Sequence, residues 1–183
     1  MKKEKNGFVK NAFDVVSIIG TAVIAIAVVF TFAVRTVSVS GGSMLPTLSN
    51  GDKLLLSANL DKAQYGDIVV ICQPNLMEKT LIKRVIATEN QTVDIDFTTG
   101  EVSVDGVVLD EPYIAAKTTT EEGMVFPLVV PEGCVFVLGD NRNASTDSRS
   151  PAVGFIDEDY IMGKVLLRIA PWGHTDYLDL KDN

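Results

Sequence analysis

The hydrophobic pattern of the chain changes once, and sharply. From Val15 to Val34 every position is apolar or small and none is charged, a run of 20 residues. At helical rise that length covers roughly 30 Å, the thickness of a bilayer's hydrocarbon core. Residues 13–35 are therefore predicted to form a transmembrane anchor. Lys2, Lys3, Lys5 and Lys10 precede it against Glu4 and Asp14, and beyond Arg35 no charge occurs before Asp52. Positive charge collects on the cytoplasmic side of a span, which makes residues 1–12 a cytoplasmic tail and residues 36–183 an extracytoplasmic domain in a single-pass cell-membrane protein. A cleaved secretory signal fits less well. Its apolar core would run only about 7–15 residues and close on a small-x-small site, which Ala33-Val34-Arg35 does not supply.

Past the anchor the period shortens. Apolar segments become brief, rich in Val and Ile, and bounded by Gly, Pro, Asn and Asp, which predicts a mostly β domain, an antiparallel folded sheet or barrel. Val102-Ser103-Val104 and Val107-Val108-Leu109 flank Asp105-Gly106, the dipeptide that supplies positive φ to a type I′ hairpin turn. Further strands are predicted near Val37–Ser40, Lys53–Leu56, Ile68–Cys72, Leu81–Thr88, Thr92–Asp96, Cys134–Leu138 and Ile161–Ile169. The one low-complexity patch, Lys117–Glu122, reads as an exposed loop or extension. The length suits one domain rather than two.

Charge and composition narrow the chemistry. The net charge of −8, with no Lys/Arg cluster outside the N-terminal tail, argues against nucleic acid as a partner. Two cysteines, Cys72 and Cys134, could pair on an oxidising face or remain buried free thiols in apolar strands. With a single histidine, His174, the chain makes a poor zinc site, so no metal and no cofactor are expected.

Ser43 lies nine residues beyond the apolar run, within Ser40-Gly41-Gly42-Ser43-Met44-Leu45-Pro46-Thr47-Leu48. The double glycine lets backbone approach a bound peptide closely, although a Gly-Gly-Ser turn alone reads equally as a linker. A working serine here needs a base other than imidazole, since the only histidine is remote. In Leu81-Ile82-Lys83-Arg84-Val85-Ile86, two-residue alternation puts Lys83 on the face of Leu81 and Val85. Burial of that face would lower the lysine's pKa toward a useful range; otherwise Lys83 is a solvated strand lysine paired with an acid. Gly139-Asp140-Asn141-Arg142-Asn143-Ala144-Ser145-Thr146-Asp147-Ser148-Arg149 follows an apolar strand. Its polar side chains suit either a site loop or an Asx-rich turn, with an Asp147–Arg149 ion pair available. Gly66–Val70 reads as a structural turn feeding a core strand.

Ser40–Leu48, Gly66–Val70, Lys83–Ile86 and Gly139–Arg149 together resemble, in order and spacing, the successive motifs of the bacterial type I signal peptidases. The resemblance extends to Glu111–Ile114, to Ile161–Lys164 and to the lysine-flanked anchor, and the single anchor is similar to the shorter Gram-positive forms. It implies a membrane-bound serine endopeptidase that cleaves signal peptides from exported preproteins after small residues, by a Ser/Lys dyad and an acyl-enzyme. By position Ser43 would be the nucleophile, Lys83 the general base and Ser145 the hydroxyl that orients the lysine. Asp140, Asp147 and Arg149 would hold the architecture, and Val37, Val39, Gly41, Met44, Leu48, Leu81 and Ile82 would form shallow pockets for small side chains. The implied partners are preprotein signal peptides and the lipid bilayer, with the enzyme a monomer.

The chain departs from the family pattern in three places. Gly41 stands where longer members carry an oxyanion-binding serine, leaving a backbone amide, Ser40 or a water as second donor beside the Ser43 N–H. Ala87-Thr88-Glu89-Asn90-Gln91 replaces a Gly- and Pro-containing turn, and four residues, Ser150 to Val153, separate Arg149 from Gly154 where two are usual. A self-cleaving repressor protease shares the dyad but would carry a DNA-binding segment in place of the anchor. The alternative of another class is a catalytically inactive, membrane-tethered peptide-binding module, against which the retained Ser43, Lys83 and Ser145 speak.

Overall fold

The computed structural model describes residues 14–25, 27, 34–57, 62–74 and 80–170. The chain divides into two compact units, Met1–Arg35 and Thr36–Asn183. In the first, residues 14–25 are helical with exposed side chains. No helix among the described residues is long and apolar enough to cross a membrane. Residues 13, 26 and 28–33 of the predicted anchor lie outside the described residues, as do the predicted tail, residues 1–12, and His174.

The second unit is built from short Val- and Ile-rich runs whose branched side chains suit the pleated surface of a sheet. Among the described residues eleven strands succeed one another: β1 (Val34–Ser38), β2 (Lys53–Ser57), β3 (Ile68–Ile71), β4 (Leu81–Ala87), β5 (Thr92–Asp96), β6 (Glu101–Val104), β7 (Val107–Val108), β8 (Leu128–Val129), β9 (Cys134–Leu138), β10 (Ile156–Asp157) and β11 (Ile161–Ala170). They form a seven-stranded sheet, ordered β1-β2-β11-β3-β4-β9-β10, and a four-stranded sheet, β7-β6-β5-β8. The domain is thus mostly β, as expected, and arranged in two sheets.

The alternation along β3 shows how the large sheet acquires two cores. Val69 and Ile71 point into a cluster with Val85, Val135, Val137 and Ile156. Ile68 and Val70 point the other way, against Met44, Leu48, Leu54 and Leu56. All four β3 residues are fully buried, and burying such a side chain contributes roughly 1.5–3 kcal/mol each. A third cluster, with Phe136 and Leu138 of β9, Val93 and Ile95 of β5, and Val102 and Val104 of β6, joins the small sheet to the large one.

The predicted hairpin forms on Asp105 and Gly106, with φ values of 53° and 79°, as a type I′ turn requires. Two strands escaped the sequence reading, β8 and β10. At two residues each they are too short for a period to register. The Thr88–Gln91 turn closes with Asn90 at φ 67°, the left-handed role a glycine would otherwise take. Cys72 and Cys134 are both free thiols, but Cys72 is exposed. It lies one residue past the end of β3, where the alternation no longer carries its side chain into the core.

Candidate active site

Three segments distant in sequence converge: the Gly41–Thr47 turn, strand β4 and the loop after β9. Gly41 has φ +98°, a conformation open to glycine at little cost, and its amide donates to Asn50 Oδ1 at 3.0 Å. That commits the backbone amide at the position where a second oxyanion donor was sought. The turn then presents Ser43 toward β4.

Lys83 is 2% exposed and sits opposite Val69 in the β3–β4 register, on the Leu81 and Val85 face as alternation predicts. Its Nζ lies 2.7 Å from Ser43 Oγ. Among the described residues it forms no ion pair. Burial pushes its pKa below the ordinary lysine value of 10.5; Asp147, Glu122 and Asp140 oppose the shift and Arg149 adds to it. With desolvation the leading cause, the amine is driven toward its neutral, proton-accepting form.

The loop after β9 carries the other predicted residues. Ser145 is buried, and its hydroxyl donates to Asp147 Oδ2 at 2.8 Å. That leaves the oxygen's lone pairs available to accept a hydrogen bond. Asp147 also accepts from the Gly139 amide at 3.0 Å and pairs with Arg149 through Nε at 2.8 Å and Nη2 at 2.9 Å. Arg149 binds the carbonyls of Thr120, Arg142 and Ser145 as well, so one guanidinium staples the whole loop. A side chain at Gly139 would collide with the Ser145 hydroxyl and the Ser43 carbonyl; only glycine lets the loop and the Ser43 turn approach this closely.

Asp140 is fully buried and accepts from Arg84 Nε at 2.8 Å and Nη2 at 2.6 Å, and from the Thr47 hydroxyl. Arg84 also donates to the Gly66 carbonyl at 3.1 Å and lies 3.9 Å from the Tyr113 ring centroid. One carboxylate therefore ties together the Ser43 turn, strand β4 and the loop. The Gly66 turn keeps its structural role and gains a partner.

Sequence reasoning passed over Arg84, Arg142 and Glu122. Arg142 is nearly fully buried and binds Glu111, through Nη1 at 2.8 Å and through Nη2, together with the Thr118 hydroxyl and the Gly139 carbonyl. The readable signal was a pair of adjacent cations, Lys83-Arg84, inside an apolar strand. The Lys117–Glu122 patch is the exposed loop expected, with Lys117, Thr119, Thr120 and Glu121 exposed, but it is tied down at points along its length. Thr118 is buried, Asn143 Oδ1 accepts the amides of Thr119 and Thr120, and Glu122 Oε2 accepts the Asp147 amide at 3.2 Å. Its threonines are held because their hydroxyls and amides complete the hydrogen bonding of a buried polar loop.

A cavity of about 290 Å³ opens beside the Ser43–Lys83 contact, lined by Val37, Ser38, Val39, Ser40, Gly41, Ser43, Met44, Thr80, Leu81, Ile82 and Lys83. Six of the seven predicted pocket residues line it. Leu48 does not. It is fully buried in the core beneath with Leu54 and Leu56, because the turn after Pro46 directs it inward, its amide bonding the Met44 carbonyl at 2.8 Å. Among the described residues no cluster of His, Cys, Asp and Glu could hold a metal ion.

Residues 12–172 match the family model described as signal peptidase, peptidase S26. The chain is 41% identical over 145 residues to a probable signal peptidase I-1 of Synechocystis, covering 72% of this chain and 70% of that one. It is 33% identical over 176 residues to a signal peptidase I of Bacillus licheniformis, covering 89% and 91%. A solved signal peptidase I from Enterococcus faecalis aligns at 30% identity and a TM-score of 0.45, covering 58% of this chain and 98% of that one.

Proposed function

The chain belongs to the signal peptidase family, peptidase S26, and from that premise we propose that it is a membrane-anchored endopeptidase cutting signal peptides from exported preproteins with Ser43 as nucleophile and Lys83 as base. The observation that carries the reading is the 2.7 Å contact between Lys83 Nζ and Ser43 Oγ, made by a lysine that burial inclines to neutrality. A nucleophile and its base within hydrogen-bond reach are the signature of covalent catalysis.

Neutral Lys83 takes the Ser43 proton as Oγ attacks the scissile carbonyl carbon. The oxyanion is met by the Ser43 N–H, which has no acceptor among the described residues. Collapse of the tetrahedral intermediate breaks the C–N bond. The Lys83 ammonium gives its proton to the leaving amine, the new N-terminus of the mature protein, and the signal peptide stays esterified to Ser43. Water then attacks the ester, Lys83 receives its proton, and Ser43 Oγ regains a hydrogen as the peptide carboxylate departs. Ser145, held by Asp147, orients the lysine. The groove beside Val37, Val39, Leu81 and Ile82 takes the substrate as an extended segment, and its small volume favours Ala-x-Ala over bulky residues. The uncharged run Val15–Val34 anchors the enzyme in the bilayer with its N-terminus cytoplasmic, so that Ser43, nine residues further on, waits where a signal peptide leaves the membrane.

The test uses the full chain in detergent micelles with a preprotein whose signal ends in Ala-x-Ala. Wild type should release the mature product while Ser43→Ala and Lys83→Ala leave the precursor intact. Undiminished cleavage by either variant rules out the dyad.

A further inference from the structure

Asn141 makes two contacts that the proposed mechanism does not use. Its backbone N–H donates to the Ser43 carbonyl at 3.0 Å, and its side-chain Nδ2 donates to the Gly42 carbonyl at 3.0 Å. The Gly42 carbonyl also accepts the Leu45 amide at 3.3 Å, so both of its lone pairs are engaged. A carbonyl can only accept, which means the amide face turned toward Gly42 is the NH₂ and the contact needs an asparagine's donor.

The peptide unit whose oxygen Asn141 holds is the one whose nitrogen belongs to Ser43. That bond is trans, since the cis peptides are Leu45-Pro46 and Phe126-Pro127. In a planar trans peptide the C=O and N–H point in opposite directions. Holding the oxygen on the Asn141 side therefore aims the Ser43 N–H away from it, toward the side where Ser43 lines the groove and Asn141 does not. Two hydrogen bonds to the carbonyl also polarise the peptide and strengthen its N–H as a donor. Because the Gly41 amide is committed to Asn50, much of the oxyanion stabilisation falls on this single N–H.

We infer that Asn141 is a positioning residue of the oxyanion hole, fixing and polarising the Gly42–Ser43 peptide so that the Ser43 N–H meets charge as it develops on the scissile carbonyl. The inference rests on Ser43 being the nucleophile. An N–H aimed at a developing oxyanion acts on the transition state, not on ground-state binding.

Three measurements on the full chain in detergent micelles test this with Asn141→Ala. They are kcat and KM on an Ala-x-Ala preprotein, affinity for a peptide aldehyde that adds to Ser43 as a tetrahedral adduct, and affinity for an uncleavable peptide of the same sequence. Removing an oxyanion donor outright costs about 10²–10³ in kcat, so misaiming one should cost about 10–100-fold. KM and uncleavable-peptide affinity should stay unchanged, while aldehyde affinity falls in step with kcat. Equal losses for the aldehyde and the uncleavable peptide, or no loss for either, overturn the inference. Asn141→Asp keeps the shape and the backbone bond but replaces the donor with an acceptor, and should be slower still. If the Ala variant loses its cooperative unfolding transition, the Asp variant alone decides, by the same split between the two ligands. Ser43→Ala separates the two levels: full turnover there sinks the nucleophile reading, whereas an inactive Ser43→Ala beside a fully active Asn141→Ala sinks only the role of Asn141.

Discussion

Lys83 and Arg84 are consecutive on β4, both buried cations, and they face opposite sides of one sheet. On the Arg84 side, Asp140 receives the guanidinium through two hydrogen bonds, Gly66 takes a third, and Tyr113 lies over its plane. A guanidinium matched this way has its donors satisfied inside the protein. On the Lys83 side the partner is the neutral hydroxyl of Ser43, and desolvation outweighs the carboxylates at longer range. One residue along the strand separates a cation that builds from a cation that can give up its proton. The difference lies in the side chain, since a guanidinium does not give up its proton in a protein, and in the partner supplied, not in the depth of burial.

The harshest way to break this comparison is to give the Lys83 side a cation that cannot deprotonate. Lys83→Arg should lose activity by at least about 10³-fold, as loss of a catalytic dyad member does, although the positive charge is retained. Wild-type cleavage by that variant would show that charge, not proton transfer, is what matters there.

Next in size is removal of the partner on the other side. Asp140→Asn leaves Arg84 buried without its counter-ion and should cost about 3–5 kcal/mol in chemical denaturation. Activity should fall too, because an amide at 140 cannot accept from both Arg84 and the Thr47 hydroxyl of the Ser43 turn as the carboxylate does. A midpoint matching wild type would mean that Arg84 finds another anion.

The Lys83 side can be sharpened by pH. Its folded pKa is lowered, so between the folded and unfolded values the unfolded chain holds a proton that the folded one lacks, and stability rises with pH across that window. At neutral pH the buried lysine is therefore a liability. Lys83→Met should raise the thermal midpoint there, by roughly 2–4 °C for each kcal/mol relieved, and the gain should shrink as pH climbs toward 10.5, the ordinary lysine value. Cleavage by wild type should increase with pH through the same folded pKa. A pH-independent gain, or a flat activity profile, would remove the titrating lysine from the picture.

The smallest effect belongs to a region outside the comparison. Gly106→Ala places a Cβ at φ +79° with no atom within 4 Å to clash against, so only backbone strain remains, about 1–2 kcal/mol. Turnover should be untouched, and a change in kcat would couple the small sheet to the site.

The strands were legible where a period could express itself. Ile68–Ile71 and Cys134–Leu138 carry runs of branched or aromatic side chains that have no comfortable place but a sheet, and Asp105-Gly106 declares its own turn. β8 and β10 were not legible, since two residues contain no pattern; they form because longer neighbours, β5 and β9, offer them an edge. At the site, Ser43, Lys83, Asp140, Ser145, Asp147 and Arg149 could be nominated from motifs. Arg142, Thr118 and Glu122 could not, because their importance arises from contacts across 24 to 31 residues of chain. Leu48 was misjudged for the same reason, since a turn decides which way a leucine faces.

The sequence by itself determined the anchor-like apolar run, the β character of the chain beyond it, the alternation that puts Lys83 on an apolar face, and the presence of a serine with no nearby histidine to serve it. These are properties of spacing and composition, which the chain carries before it folds. Tertiary structure alone decided that Lys83 would meet Ser43 and not a carboxylate, that Arg84 would take Asp140, and that Asn141 would grip the Gly42–Ser43 peptide. Desolvation and hydrogen-bond partnership depend on what the rest of the chain brings to each group, and no local pattern records that.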